Sequence, residues 1–180
     1  MMNFLEKIKN FARDESGVSS IEFVMLFPAA FGLVALDFDA ALLMLRYTNL
    51  EGALDRSVRE VRLHGFPASE TQSRSEYFIE EICKNAALIK DCTTSLAVEM
   101  SPIDTSTGFS KPTEIKCINR NDDNQPVIEF TPGSQNDVVY LRACLVVDRF
   151  FPNSLPGVFT TDASGGVRLV ADSAYVVEPL

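Results

Sequence analysis

The chain has 180 residues, 46% of them hydrophobic, and a formal net charge of -9 from 25 acidic against 16 basic side chains. That length holds one small domain and an additional element. An acidic chain repels phosphate backbones and anionic lipid heads, and no basic stripe with interleaved aromatics runs through it, so nucleic acid is excluded as a partner class.

The first 17 residues set Lys7, Lys9 and Arg13 against Glu6, Asp14 and Glu15 and sum to zero, so the negative charge lies after Gly17. From Ile21 to Leu45 there are three carboxylates, Glu22, Asp37 and Asp39, and no basic residue. The uninterrupted apolar stretch Phe23 to Leu36 has 14 residues. As a helix it reaches about 21 Å, short of a hydrocarbon core of about 30 Å. Extension to Leu45 makes it long enough but includes carboxylates, which are costly at membrane depth unless paired. Pro28 and Gly32 weaken a soluble helix, and packed membrane helices tolerate both. Such a segment is suited to packing against other helices.

A secretory signal has a short charged start, an apolar run and a small-residue cleavage site. Here Leu42-Leu43-Met44-Leu45-Arg46-Tyr47 follows the apolar run and offers no small pair. The run is therefore expected to stay in the mature protein.

Leu50, Leu54, Val58 and Val61 continue one apolar stripe, and Asp55 with Arg59 and Arg56 with Glu60 are spaced as ion pairs on the other face. Gly65 and Pro67 then stop the helix. The spacing predicts one long helix over residues 20 to 64, half in lipid and half in water. His64, the only histidine, suits the cation-favouring end of that helix. Ser69 with Gln72 has the spacing of a capping box. A second amphipathic helix carries Phe78, Ile82, Ala86 and Ile89 and ends before Cys92.

Beyond Cys92 the period changes to two. Leu96, Val98 and Met100 alternate, as do Ile115 and Cys117. Val127–Phe130 reads as a short strand, Val138–Val147 as the strongest, charged only at Arg142, and Val167–Val177 as the last. Strands joined without intervening helices predict an antiparallel sheet, and the fold class is α+β. Four cysteines, Cys83, Cys92, Cys117 and Cys144, all follow the apolar segment, and an even count on an exported side suggests two disulfides. Their spacing fits neither a CxxC redox pair nor a zinc knuckle. No GxSxG, HExxH or P-loop pattern occurs, so the sequence predicts no enzyme and no cofactor. Asn119, Asn121 and Asp123 have the spacing of a calcium-loop start, but Asn124 stands where glycine is required and Phe130 where glutamate is, so no metal is expected.

The segment Asp14-Glu15-Ser16-Gly17-Val18-Ser19-Ser20-Ile21-Glu22-Phe23 runs directly into the apolar helix. It resembles the processing site of prepilin-like proteins, a glycine, four residues and then Glu-Phe. More narrowly, the chain resembles the TadE/TadF family of tight-adherence minor pseudopilins. The resemblance extends to Cys83 and Cys92 near the end of the second helix and to Pro132-Gly133-Ser134-Gln135-Asn136-Asp137 before Val138. Family members tend to close on Asn-Glu-Pro-aromatic, where this chain has Val177-Glu178-Pro179-Leu180.

The resemblance implies a pilin-like fold with three parts: a leader of residues 1–17 that is removed, a long helix over 18–64 with a transmembrane half, and an exported α+β domain over 65–180. It implies cleavage by a prepilin peptidase between Gly17 and Val18, making Glu22 the fifth residue of the mature chain. In pilin-like filaments the equivalent glutamate pairs with the N-terminal amine of a neighbouring subunit, which would give Glu22 and Phe23 a role in subunit assembly. A carboxylate in a low-dielectric bundle gains more from such a partner than it would in water. The implied partners are the peptidase, other pilin and pseudopilin subunits and an inner-membrane assembly platform. Lys7, Lys9 and Arg13 would keep the leader cytoplasmic and send the acidic domain outward from the bacterial inner membrane. Asp37 and Asp39 stand where one acid in the span is usual; the second would lie at the lipid boundary or bond to a neighbouring subunit. Local pairing of the cysteines would join Cys83 to Cys92 and Cys117 to Cys144, tying the latter between two strands, one of three possible connectivities. The alternative reading is an uncleaved single-span anchor whose periplasmic domain binds a protein or ligand.

Overall fold

The computed structural model describes residues 6, 9, 18–67, 71–103, 113–121, 125–151 and 164–178. Its elements in order are α1 (Val18–His64), α2 (Arg74–Asn85), α3 (Cys92–Ser95), β1 (Leu96–Ile103), β2 (Val138–Val147) and β3 (Val167–Val176). The chain divides into two compact units, Met1–Phe38 and Asp39–Leu180. A long N-terminal helix, a further helix and a three-stranded antiparallel sheet make the α+β, pilin-like layout expected from the sequence.

In the first unit, α1 is continuous from Val18 through Pro28. Proline has no N–H, so Val24 loses the donor that its carbonyl would otherwise receive. The segment exposes Phe23, Val24, Met25 and Leu26, each by more than half. An 18-residue window of α1 reaches a mean hydropathy of 1.9, so the helix is long and apolar enough to cross a membrane by length and composition.

In the second unit, α1 changes character. The expected stripe Leu50, Leu54, Val58 and Val61 is buried throughout. It joins Phe78 and Ile82 of α2 and the inner face of the sheet, Val98, Met100, Leu141 and Leu145, in one core. The helix stops where the sequence places the stop: Gly65 takes φ 70° and its N–H returns to the Val61 carbonyl at 2.8 Å. On the wet face the expected pairs are replaced. Glu60 meets His64 at 3.1 Å, and Asp55 accepts the Ser173 hydroxyl at 3.3 Å.

The capping box is Ser73 with Glu76, one turn after the expected one. The Ser73 hydroxyl accepts the Glu76 N–H and the Glu76 carboxylate accepts the Ser73 N–H. These bonds, the backbone one foremost, hold the Glu76 carboxyl below its ordinary value. Ser69 lies outside the described residues. α2 ends at Asn85, so Ala86 and Ile89 lie in the turn after it.

The sheet order is β1-β2-β3. Leu96 faces Leu145 across the first ladder, and Val138 faces Val176 across the second. β2 is central and buried along most of its length, so its near-continuous apolar sequence is the expected pattern. β3 ends at Val176, one residue short of expectation. Pro132–Asp137 turns the chain into β2: Gly133 takes φ 77° and the Asp137 carboxylate accepts the Ser134 N–H at 2.7 Å. A Cβ on Gly133 would stand 2.8 Å from Val139, so this position admits only glycine.

Two expected strands are absent. Residues 113–119 are irregular, and residues 127–130 form a single parallel bridge, Met100 to Phe130. β2 already has a strand on each side, so residues 113–119 cross its outer face. Cys117 is bound to Cys144 there, and the Arg142 guanidinium donates to the Glu114 carbonyl. This disulfide therefore ties a covering segment to the sheet, where the sequence suggested a tie between strands. The other joins Cys83 at the end of α2 to Cys92 at the start of α3, and the connectivity is the local one. Cα separations of 5.6 Å and 5.2 Å suit both bridges.

Arg142 is 3% exposed. It sits in register between Glu99 on β1 and Asp172 on β3. It donates to Asp172 at 3.0 Å and to the Tyr140 hydroxyl at 2.7 Å, and Tyr140 donates to Asp172 at 2.6 Å. One oxygen of Glu99, opposite Arg142 on β1, is buried without a hydrogen bond.

Burial, and then the bond to Asp172, raises the Tyr140 phenol above its ordinary value, and burial raises Tyr175. Folding then favours the neutral phenols. The unfolded chain ionises first as pH rises past about 10, and the folded chain binds more protons there, so stability falls with pH. Denaturant midpoints across that range are expected to drop for the wild type and to drop less for Tyr140→Phe with Tyr175→Phe. Equal slopes would refute the assignment.

Candidate functional site

The residues that the sequence assigns to processing and assembly lie at the start of α1. Gly17 is outside the described residues, as is nearly all of the 1–17 leader. Val18 is the first residue of α1, and its side chain is outside the described set. Glu22 and Phe23 lie one turn further on and are exposed. Helical spacing therefore sets Glu22 one turn from the backbone nitrogen of Val18. Phe23, Phe27 and Phe31 recur every four residues. Their ring centroids are 5.2 Å and 5.9 Å apart, forming a continuous aromatic ridge on the exposed helix. The Glu-Phe motif marks Phe23 alone, and the i, i+4 spacing of all three phenylalanines is equally present in the sequence.

The two remaining acids of the apolar window part company. Asp37 is exposed. Asp39, the first residue of the second unit, is 1% exposed. Its carboxylate accepts the Phe150 N–H at 2.9 Å and the Phe151 N–H at 3.1 Å. A buried carboxylate needs donors, and two consecutive backbone amides supply them. They come from the chain just past β2, 111 residues away in sequence. The sequence left this acid to the lipid boundary or to a neighbouring subunit; the bond within the chain is a third arrangement that no local pattern announces. Phe150 and Phe151 stand edge to face, 5.0 Å apart. Beside them Arg46 donates to the Asp148 carbonyl at 2.7 Å, and Arg120 grips the Asp148 carboxylate at 2.7 and 3.0 Å. The Arg120 bond holds the Asp148 carboxyl below its ordinary value. Asp39 thus fastens the end of β2 to α1 where the apolar segment gives way to the packed one.

The four cysteines are consumed in disulfides, and among the described residues no group of three His, Cys, Asp or Glu is placed to hold a metal. Asn119 and Asn121 belong to a polar turn closed by the Gln125 amide on the Asn119 carbonyl at 2.8 Å. An open cleft of about 200 Å³ lies at the far end of α1 between Val61, Phe66 and Tyr175, with Arg62 at its rim bonded to Glu178 at 2.6 Å. No family model, no curated protein and no solved structure matches this chain.

The Asp39 contact makes a measurable prediction. Asp39→Ala removes the carboxylate that accepts these two part-buried N–H groups. Amide exchange at Phe150 and Phe151 is expected to rise on the order of tenfold to a hundredfold. Leu141 and Leu145 should keep their protection. Unchanged exchange at Phe150 would show that the carboxylate does not fasten the segment.

Proposed function

We propose that the chain is a minor pilin or pseudopilin of a tight-adherence (Flp-type) pilus or a related secretion apparatus, processed by a prepilin peptidase after Gly17. The observation that carries this reading is the run Gly17-Val18-Ser19-Ser20-Ile21-Glu22-Phe23 set directly before an apolar helix. The exposed apolar surface and the phenylalanine ridge that follow give neighbouring helices something to pack on.

In this reading residues 1–17 are the leader, residues 18–64 the helix and residues 65–180 the exported domain. The leader stays in the cytoplasm of a bacterial cell and the helix waits in the inner membrane. Cleavage exposes the Val18 amine, a new positive charge. Glu22, in the same apolar stretch, offers a carboxylate to the amine of the next subunit. Away from water the pair gains from a reduced dielectric, and an unpaired Glu22 there is unfavourable, so the pair sets the register in which a subunit enters. The reading assigns the protein no catalysis; its partners are the peptidase, other pilin-like subunits and the assembly platform.

Substitution of Gly17 by a bulky residue is expected to leave the precursor uncut. Glu22→Ala should be cut normally and fail to assemble. Intact mass of the membrane form, with the amount of pilus at the surface, reads both. A wild-type chain that keeps its first 17 residues in cells making normal pili sinks this reading and favours the uncleaved anchor.

A further inference from the structure

The tip of the second unit beside Asp39 gathers features that the proposed function does not use. Phe150 is 63% exposed although both its own N–H and that of Phe151 are fixed to Asp39. It is therefore a large apolar side chain held out on a tethered segment. Asp39 follows Leu36, the last residue of the uninterrupted apolar stretch, by three positions in the same helix. Around the same end Met44, Leu45 and Leu88 are each exposed by half or more.

Cations stand among these apolar groups. Arg46, Lys90 and Arg120 line one cleft of about 280 Å³ with Leu88, and Asp91 and Asp148 are its acids. Three positive charges against two leave this cleft at +1 in a chain of net charge -9. Arg120 is matched to the Asp148 carboxylate. Arg46 bonds the Asp148 carbonyl and shares that residue's carboxylate field with Arg120, and among the described residues Lys90 has no bonded partner. Net charge alone says that this chain avoids anionic lipid, and here the local arrangement runs the other way.

We propose that this end of the unit rests on an anionic lipid surface, with Phe150 entering the interface and Arg46 and Lys90 facing lipid phosphates. Aromatic and aliphatic side chains gain by leaving water at the headgroup level, and juxtamembrane Lys and Arg are drawn to anionic headgroups. Asp39 is the positioning residue, because its carboxylate holds the Phe150 and Phe151 amides. The inference rests on the membrane-spanning reading of α1 and is independent of leader cleavage.

The chain contains no tryptophan, so each Phe→Trp or Leu→Trp variant carries a single reporter. Full-length protein is reconstituted in vesicles of phosphatidylcholine with phosphatidylglycerol. Phe31→Trp, in the apolar stretch, should be quenched by lipids brominated near the bilayer centre. Leu63→Trp, near the far end of α1, should be quenched freely by acrylamide. Phe150→Trp is expected to emit to the blue of Leu63→Trp, to be quenched by shallowly brominated lipid, and to have an acrylamide quenching constant about tenfold lower, as removal of an aromatic side chain from water implies. Adding Arg46→Gln and Lys90→Gln, or using phosphatidylcholine alone, should return acrylamide access. Deep quenching of Phe31→Trp with free acrylamide access at Phe150→Trp overturns the inference and leaves the spanning helix standing. Free access at Phe31→Trp removes the spanning reading and the inference with it. Protection of Phe150→Trp that ignores lipid bromination and disappears on dilution assigns the tip to a second copy of the chain and overturns the lipid surface. Protection unchanged in neutral lipid overturns the role given to Arg46 and Lys90.

Discussion

Burial of Leu50, Leu54, Val58 and Val61 against the inner face of the sheet fixes the rest of the C-terminal unit. A helix presents one stripe to one partner, and this stripe has taken the sheet. The sheet must then be hydrophobic on that face, which β2 meets with Val139, Leu141, Ala143 and Leu145 at alternate positions. Phe78 and Ile82 close the side of the core, and their depth decides where α2 runs. Upstream of Asp39 the same helix has an exposed apolar surface. One element therefore serves two environments, and the change between them occurs at the buried carboxylate.

The elements legible in the sequence were those whose stabilising partner lies within a few residues or follows from periodicity. The stripe of α1, the glycine stop at Gly65 and the bounds of β2 are of this kind. The capping box shows the limit of local reading. Ser69 with Gln72 and Ser73 with Glu76 both satisfy the pattern, and the choice belongs to the burial of Phe78, which a helix beginning at Arg74 delivers. Alternation at Ile115 and Cys117 misled for a related reason. Ile115 is 44% exposed and Cys117 is held by its disulfide, so the apolar spacing marks no buried strand face, and β2 had no free edge to offer the segment.

The candidate site divides in the same way. The Gly17 to Phe23 motif is a linear pattern and was readable without coordinates. The function of Asp39 was not, because its acceptor oxygens meet backbone amides, which no side-chain identity encodes. Arg142 lay between these cases. A lone charge in the most apolar strand signals a buried partner, and the register supplied Asp172 and Glu99 as its neighbours. The two disulfides act beyond their sequence positions. One closes α2 onto the short α3 that leads into β1, and the other holds a long connection over the sheet. Such loop closures are worth about 2–4 kcal/mol each in small domains.

The row Phe23, Phe27, Phe31 also carries a geometric consequence. Side chains four residues apart do not line up with the helix axis; the row they form is inclined to it by about 26°. A second helix seated along this row is thus turned away from parallel, toward a crossing angle of about 50° if it offers a row of the same kind, or about 20° if it offers residues three apart. Identical chains stacked through the row could not remain collinear. Each added copy would be rotated relative to the last, and because the two crossing classes turn in opposite directions, the row that the partner offers selects the hand of any helical array built on these phenylalanines.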